Sequence, residues 1–184
     1  MRTPRFGRWP RVVAVGAAMV LSISVAYAAG AEGSPDLVGV TTVSGKSITQ
    51  VKVVRSILAV TTSSLTFVAV PGATATVKVP AGSKGLIIAR FSAVSSCTDS
   101  VNVTGGYGCE LRVLVNGVEA APASGQSEVF DSSAADGREA HAFERSRGPV
   151  GPGTYVVTVQ YAVPAATVAF DLVGWSLEVD TVKV

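Results

Sequence analysis

Apolar residues recur at every second position through much of this chain, and that period dictates extended structure. Tyr155, Val157, Val159 and Tyr161 share one face of Thr154 to Val163, opposite Thr154, Val156, Thr158 and Gln160. Thr74 to Val79 sets Ala75, Val77 and Val79 against Thr74, Thr76 and Lys78. Glu110 to Val115 does the same with Leu111, Val113 and Val115 against Glu110, Arg112 and Leu114. Side chains of a strand alternate between its two faces, so each segment predicts a strand with one face to bury. The breaks between runs are turn chemistry. Pro71-Gly72 reads as the end of a strand over Leu65 to Val70, and Pro80-Ala81-Gly82-Ser83 as a loop. Asn116-Gly117 is the strongest short-range hairpin signal in the chain. Pro149-Val150-Gly151-Pro152-Gly153 excludes both helix and central strand.

Gly85 to Val94 begins with Leu86, Ile87 and Ile88, which reads as a central strand covered on both faces. Thr167 to Val173 and Trp175 to Val179 form a strand pair or one long bent strand, with Gly174 marking a bulge. There Trp175, Leu177 and Val179 are expected to point inward, and Ser176, Glu178 and Asp180 to solvent. No apolar stripe at helical period lasts three turns. The one helix candidate is Ala134 to Arg145, weakened by Gly137. About eight to ten short strands without a helix to cover them predict an all-β fold, an antiparallel two-sheet sandwich with jelly-roll or Greek-key wiring. The sandwich is expected over residues 60–184, after a flexible lead at 29–36. Residues 37–59 read either as a hairpin turning at Ser44-Gly45-Lys46 or as an extended stalk.

The first 28 residues follow a different logic. Arg2, Arg5, Arg8 and Arg11 precede a run from Val12 to Val25 that is apolar apart from Ser22 and Ser24, and Ala26-Tyr27-Ala28 follows. Basic, apolar, then small-x-small is the order of a secretory signal peptide, with Ala28 and Ala29 flanking the cleavage point. A single membrane anchor is the competing reading, but the apolar run is short for a bilayer core that needs about 20 residues. Cleavage removes four Arg and no acid. The formal net charge then moves from +2 to −2, with 11 basic residues facing 13 acids. A mildly acidic domain has no electrostatic footprint for nucleic acid. In an exported chain, Cys97 and Cys109 read as a structural disulfide closing a Ser-, Asn- and Gly-rich loop, with two free thiols as the alternative. A redox-active pair would need Cys-x-x-Cys spacing, which is missing.

Several longer runs carry a resemblance. Phe67-Val68-Ala69-Val70-Pro71-Gly72, Val77-Lys78-Val79-Pro80-Ala81-Gly82, Leu86 to Ala93 and Cys109 to Ala120 are similar to a group of secreted, uncharacterised β-sandwich proteins common in actinobacteria. Phe130-Asp131-Ser132, Glu144-Arg145-Ser146, Gly151-Pro152-Gly153-Thr154-Tyr155 and Trp175-Ser176-Leu177 extend the likeness over roughly residues 60–184. The resemblance implies a secreted jelly roll. It implies no activity, because the group has none assigned.

The sequence offers little that could do chemistry. It contains one His, His141, with Glu139 and Glu144 beside it and Asp131 upstream. Gly174-Trp175-Ser176-Leu177-Glu178 fails the nucleophile-elbow pattern at its last position. Gly45-Lys46-Ser47 imitates a phosphate loop but precedes a strand pattern, and Asn102-Val103-Thr104 matches the glycosylation sequon. No clustered calcium loop occurs, and two Cys cannot build a Cys-based zinc site. No catalytic residue, metal or cofactor is therefore assigned.

Two functions of different class remain. The first is a secreted, non-catalytic module, extracellular or in the cell envelope, that binds a surface component, a polymer or copies of itself. Ala121 to Arg147, read as the longest connection, would be its contact region. The second is a small secreted, glycan-directed hydrolase or lyase working through Glu128, Asp131, Glu139 and Glu144 with His141. A row of exposed aromatics favours the first, and a cleft holding His141 with two acids favours the second. After signal cleavage no membrane span is expected, and a homo-oligomer is compatible with either. Mass spectrometry of protein recovered from culture medium is expected to find Ala29 at the N-terminus; a membrane-bound species with Met1 intact contradicts cleavage.

Overall fold

The computed structural model describes residues 37–43, 47–100, 108–123, 129–132 and 137–184, and its alternating segments are strands. They are β1 (Leu37–Val43), β2 (Ile48–Ser56), β3 (Val60–Thr62), β4 (Val68–Val79), β5 (Gly85–Asp99), β6 (Gly108–Val115), β7 (Val118–Glu119), β8 (Val129–Ser132), β9 (Glu139–Val150), β10 (Gly153–Ala162) and β11 (Val168–Lys183). The segment read as a signal peptide with Ala28 and Ala29, the residues read as a lead at 29–36, Ser44-Gly45-Lys46, the sequon match at Asn102 and Glu128 lie outside the described residues.

Two antiparallel sheets pack face to face. One runs β1-β2-β11-β5-β9, with β3 also on β11; the other runs β4-β10-β6-β7, with β8 also on β6. The pairings are nested. β6 pairs β8, β5 pairs β9, β4 pairs β10 and β2 pairs β11, so the first half of the chain matches the second half in reverse order. A long hairpin folded over into two sheets in this manner has the wiring of a jelly roll. Residues 37–56 take part in it: β1 pairs β2 antiparallel, and β2 continues onto β11.

Alternation becomes burial. Ala75, Val77 and Val79 of β4, Leu111, Val113 and Val115 of β6, and Val157, Val159 and Tyr161 of β10 are all buried. Asn116 and Gly117 both have positive φ, 49° and 77°, and join β6 to β7 as the two-residue turn their types favour. On β11 the inward residues are Phe170 and Leu172, then Trp175, Leu177 and Val179. The parity switches because the register with β5 slips between Val173 and Ser176, at Gly174 with φ +60°. Such a bulge turns the strand by one side chain. Phe91, whose ring lies 6.1 Å from Trp175, 6.0 Å from Phe130 and 6.2 Å from Phe143, joins this strand to the aromatic centre of the core.

Five expectations need correction. Pro71-Gly72 does not end a strand; it bulges out of β4 between buried Val70 and Ala73, where the register against β10 shifts. The helix candidate from Ala134 is strand β9 from Glu139 onward, because β5 offers its backbone a hydrogen-bonding edge along the whole segment. Ala121 to Arg147 is thus no long connection, since β8 and most of β9 lie within it. Asp180 is buried, not solvent-facing, and Leu86 and Ile88 on the outer side of β5 are only half-buried.

Cys97 and Cys109 form a disulfide between the end of β5 and the start of β6, with Cα atoms 5.8 Å apart. At the free edge of β4, the Lys78 amide donates to Gln50 Oε1 at 2.8 Å, and Lys52 Nζ donates to the Thr76 carbonyl at 3.4 Å. Both side chains come from β2 of the opposite sheet.

Two measurements check this account. Gly174→Ala meets no atom within 4 Å, so its cost is the left-handed backbone, about 1–2 kcal/mol in urea unfolding. Deleting Gly174 is expected to abolish cooperative unfolding, because Ser176, Glu178 and Asp180 would then face the core. Replacing both Cys by Ala is expected to lower stability by about 3 kcal/mol while the strand signature persists, and thiol titration of the native sequence to find no free sulfhydryl.

Candidate functional site

Among the described residues the sandwich is not closed along the side where β9 faces β8. β9 has 12 residues, whereas β7 has 2 and β8 has 4, so the inner face of β9 runs past its cover. Glu139, His141, Phe143 and Arg145 sit on that face at two-residue spacing, opposite Ser95, Ala93, Phe91 and Ala89 of β5. The result is an open cleft of about 320 Å³ lined by Leu111, Val129, Phe130, His141, Phe143 and Arg145, with Ala142 between them. Phe130 and Phe143 meet edge to face at 5.7 Å, and the Arg145 guanidinium lies 4.7 Å above the Phe143 ring. Val129 can lean against β6 only because residue 108 is glycine, where a Cβ would fall 2.3 Å from a Val129 methyl.

Behind the cleft lies a buried polar chain. Ser95, fully buried, donates its hydroxyl proton to Asp131 Oδ2 at 2.6 Å. The other Asp131 oxygen accepts from the Ser132 amide at 2.7 Å. His141 Nδ1 is 2.9 Å from the Ser95 oxygen, and its ring is tilted against Phe130 at 5.5 Å. Because Ser95 spends its one proton on Asp131, the bond from His141 must be donated by Nδ1. These groups come from β5, β8 and β9, so the chain also ties the two sheets together. The remaining ring nitrogen, Nε2, lies 3.7 Å from Glu139 Oε2, too long for a hydrogen bond.

Three of the four described sequence candidates therefore converge: Asp131, Glu139 and His141. Glu144 does not. It points to the outer face, where Arg90 bridges Glu144 at 2.7 Å, Glu178 at 2.9 Å and Asp180 at 2.6 Å. The hydrogen bond that Arg90 donates to Asp180, with that to Glu144 behind it, holds the guanidinium above its usual range despite partial burial.

The cleft holds the histidine, and two acids, Asp131 and Glu139, lie within 4 Å of its ring, which approaches the feature expected of the hydrolase. Of the carboxylates that chemistry would use, Asp131 is buried with both oxygens hydrogen-bonded, Glu144 faces away, and Glu128 lies outside the described residues. Ser95 is interposed between His141 and Asp131, whose Nδ1–Oδ2 distance is 3.9 Å, and the Ser95 hydroxyl is out of a ligand's reach. A nucleophile must be approachable, with its base bonded to it from the far side. Every aromatic ring among the described residues is buried or half-buried, so no aromatic row stands open on a sheet face among them. Sequence reasoning missed Ser95, Phe143 and Arg145. The odd-numbered alternation Glu139, His141, Phe143, Arg145 would have revealed the last two.

No protein-family model matches the chain, and no curated protein matches it. Among solved structures the chain is similar to the CBM22-1 xylan-binding domain of Xyn10C from Paenibacillus barcinonensis. The identity is 8%, the TM-score 0.26, and the match covers 79% of this chain and 82% of that one.

Ser95→Ala is expected to cost about 1–3 kcal/mol in urea unfolding, because Asp131 Oδ2 loses its donor in a buried site. Glu144→Gln, on the exposed outer face, is expected to cost no more than about 1 kcal/mol.

Proposed function

We propose that this chain is an exported, non-catalytic binding module that holds a polymer or surface component in the mouth between its two sheets. One observation carries the proposal. The cleft offers an apolar and aromatic wall with polar groups at its rim, while the groups that chemistry would need are committed to the fold. Asp131 has both oxygens hydrogen-bonded, Ser95 is fully buried, and Glu144 faces the other way. Concave apolar walls with a few fixed polar groups are the general form of a ligand site. The sandwich supplies the rigid frame, and export supplies the setting in which such a module meets polymers.

The test is retention of the full-length secreted protein on insoluble cellulose, chitin, xylan and peptidoglycan. Retention on at least one is expected, with His141→Ala and Arg145→Ala each weakening it and Thr76→Ala, on the opposite sheet's outer face, leaving it unchanged. The same preparations are expected to release no sugar. Release of reducing ends that disappears in Asp131→Asn and His141→Ala would transfer the assignment to a hydrolase.

A further inference from the structure

The hydrogen-bond chain behind the cleft fixes what the front of the cleft can recognise. With Nδ1 donating to Ser95 and Ser95 donating to Asp131, the imidazole of His141 in its neutral form carries its lone pair on Nε2. His141 lines the cleft, and Glu139 Oε2 sits 3.7 Å from that nitrogen on a largely exposed side chain. Two hydrogen-bond acceptors therefore stand 3.7 Å apart, one of them on a cleft residue that shares its wall with Phe130, Phe143, Leu111 and Val129.

We propose that His141 Nε2 and Glu139 together accept two adjacent hydroxyl groups of a neutral sugar ring whose C–H face lies against the Phe130 and Phe143 wall. The inference rests on the cleft being the binding site and adds the ligand's chemical class. Paired acceptors call for paired donors, which neighbouring ring hydroxyls supply, and a carboxylate accepts more strongly than a neutral group. An anion would meet the Glu139 charge and the His141 lone pair directly. A divalent cation would suit those two atoms, but no group of three or more His, Cys, Asp or Glu able to hold a metal occurs among the described residues. The wall has no part in metal binding and a clear part in ring stacking. Ser95 and Asp131 are positioning residues: they touch no ligand and set which nitrogen of His141 does.

The chain's only histidine makes the test direct. Long-range ¹H–¹⁵N correlation on the full-length secreted protein at neutral pH is expected to show Nδ1 protonated and Nε2 bare. Ser95→Ala and Asp131→Asn are expected to shift the population toward the opposite tautomer. An Nε2-protonated ring in the native sequence overturns the proposal without touching the binding-module assignment.

Cellohexaose, xylohexaose, mannohexaose and chitohexaose are then titrated while the Nε2 resonance is followed. At least one is expected to move it, with Glu139→Ala weakening that sugar's affinity about tenfold or more and Glu139→Gln by less. A sugar that binds without moving Nε2 places the ligand elsewhere, and sugars that all leave Nε2 unmoved remove the hydroxyl assignment; both overturn it. Zinc ion alone shifting Nε2 at micromolar concentration, with loss in Glu139→Ala, reassigns the pair to a metal and overturns it as well. Retention on the insoluble polymers, measured separately, shows whether the broader assignment falls with it.

Discussion

The parity of β11 governs the sandwich. This 16-residue strand pairs with β2, β3 and β5, and its inward side chains fill the centre of the core. Phe170 and Leu172 face in on even numbers, Trp175, Leu177 and Val179 on odd ones, and Gly174 alone makes the exchange. Without that one-residue slip, the second half of the strand would offer Ser176, Glu178 and Asp180 to the opposite sheet. Burying Glu178 and Asp180 without partners costs far more than any backbone strain at a glycine. Trp175 could not then stack on Phe91, and the aromatic cluster reaching Phe130 and Phe143 would lose its inner end.

The cleft is a product of the nested wiring. Ser95, Asp131 and His141 belong to three strands, and β5, β8 and β9 meet only because the outer halves of the chain fold back on each other in reverse order. The described strands of the innermost return, β7 and β8, are too short to cover β9. The open mouth is therefore what remains when a long strand faces two short ones, and its rim chemistry is set by whichever odd residues of β9 fall there.

Much of the fold was legible from local pattern. Strands with one polar and one apolar face, such as those around Val77, Val113 and Val157, announce their burial because every second side chain must go inside. Asn116-Gly117 and the Cys97–Cys109 pair were legible for the same reason: both depend on neighbours close in sequence. What escaped depends on neighbours far away. Pro71-Gly72 has turn chemistry, yet it sits within a strand because β10 re-pairs on both sides of it. Ala140 and Ala142 favour helix, and β5 overrides that preference. Asp180 follows the polar parity of its strand but is covered because Arg90 reaches across to it. Of the site, His141, Asp131 and Glu139 could be named from residue type alone. Ser95 could not, since nothing in its surroundings distinguishes it from Ser92 or Ser96 until β8 is in place.

The two side chains that β2 lends to β4 have a consequence for the molecule in company. An edge strand ordinarily presents a row of unpaired amides and carbonyls that a second chain can extend, and β proteins at high local concentration are exposed to that hazard. Here the Lys78 amide is taken by Gln50 and the Thr76 carbonyl by Lys52, so an incoming strand would have to displace both and meet the Lys52 ammonium in doing so. The border of this sheet is shut from within by its own partner layer, and it offers poor footing for growth into a fibril.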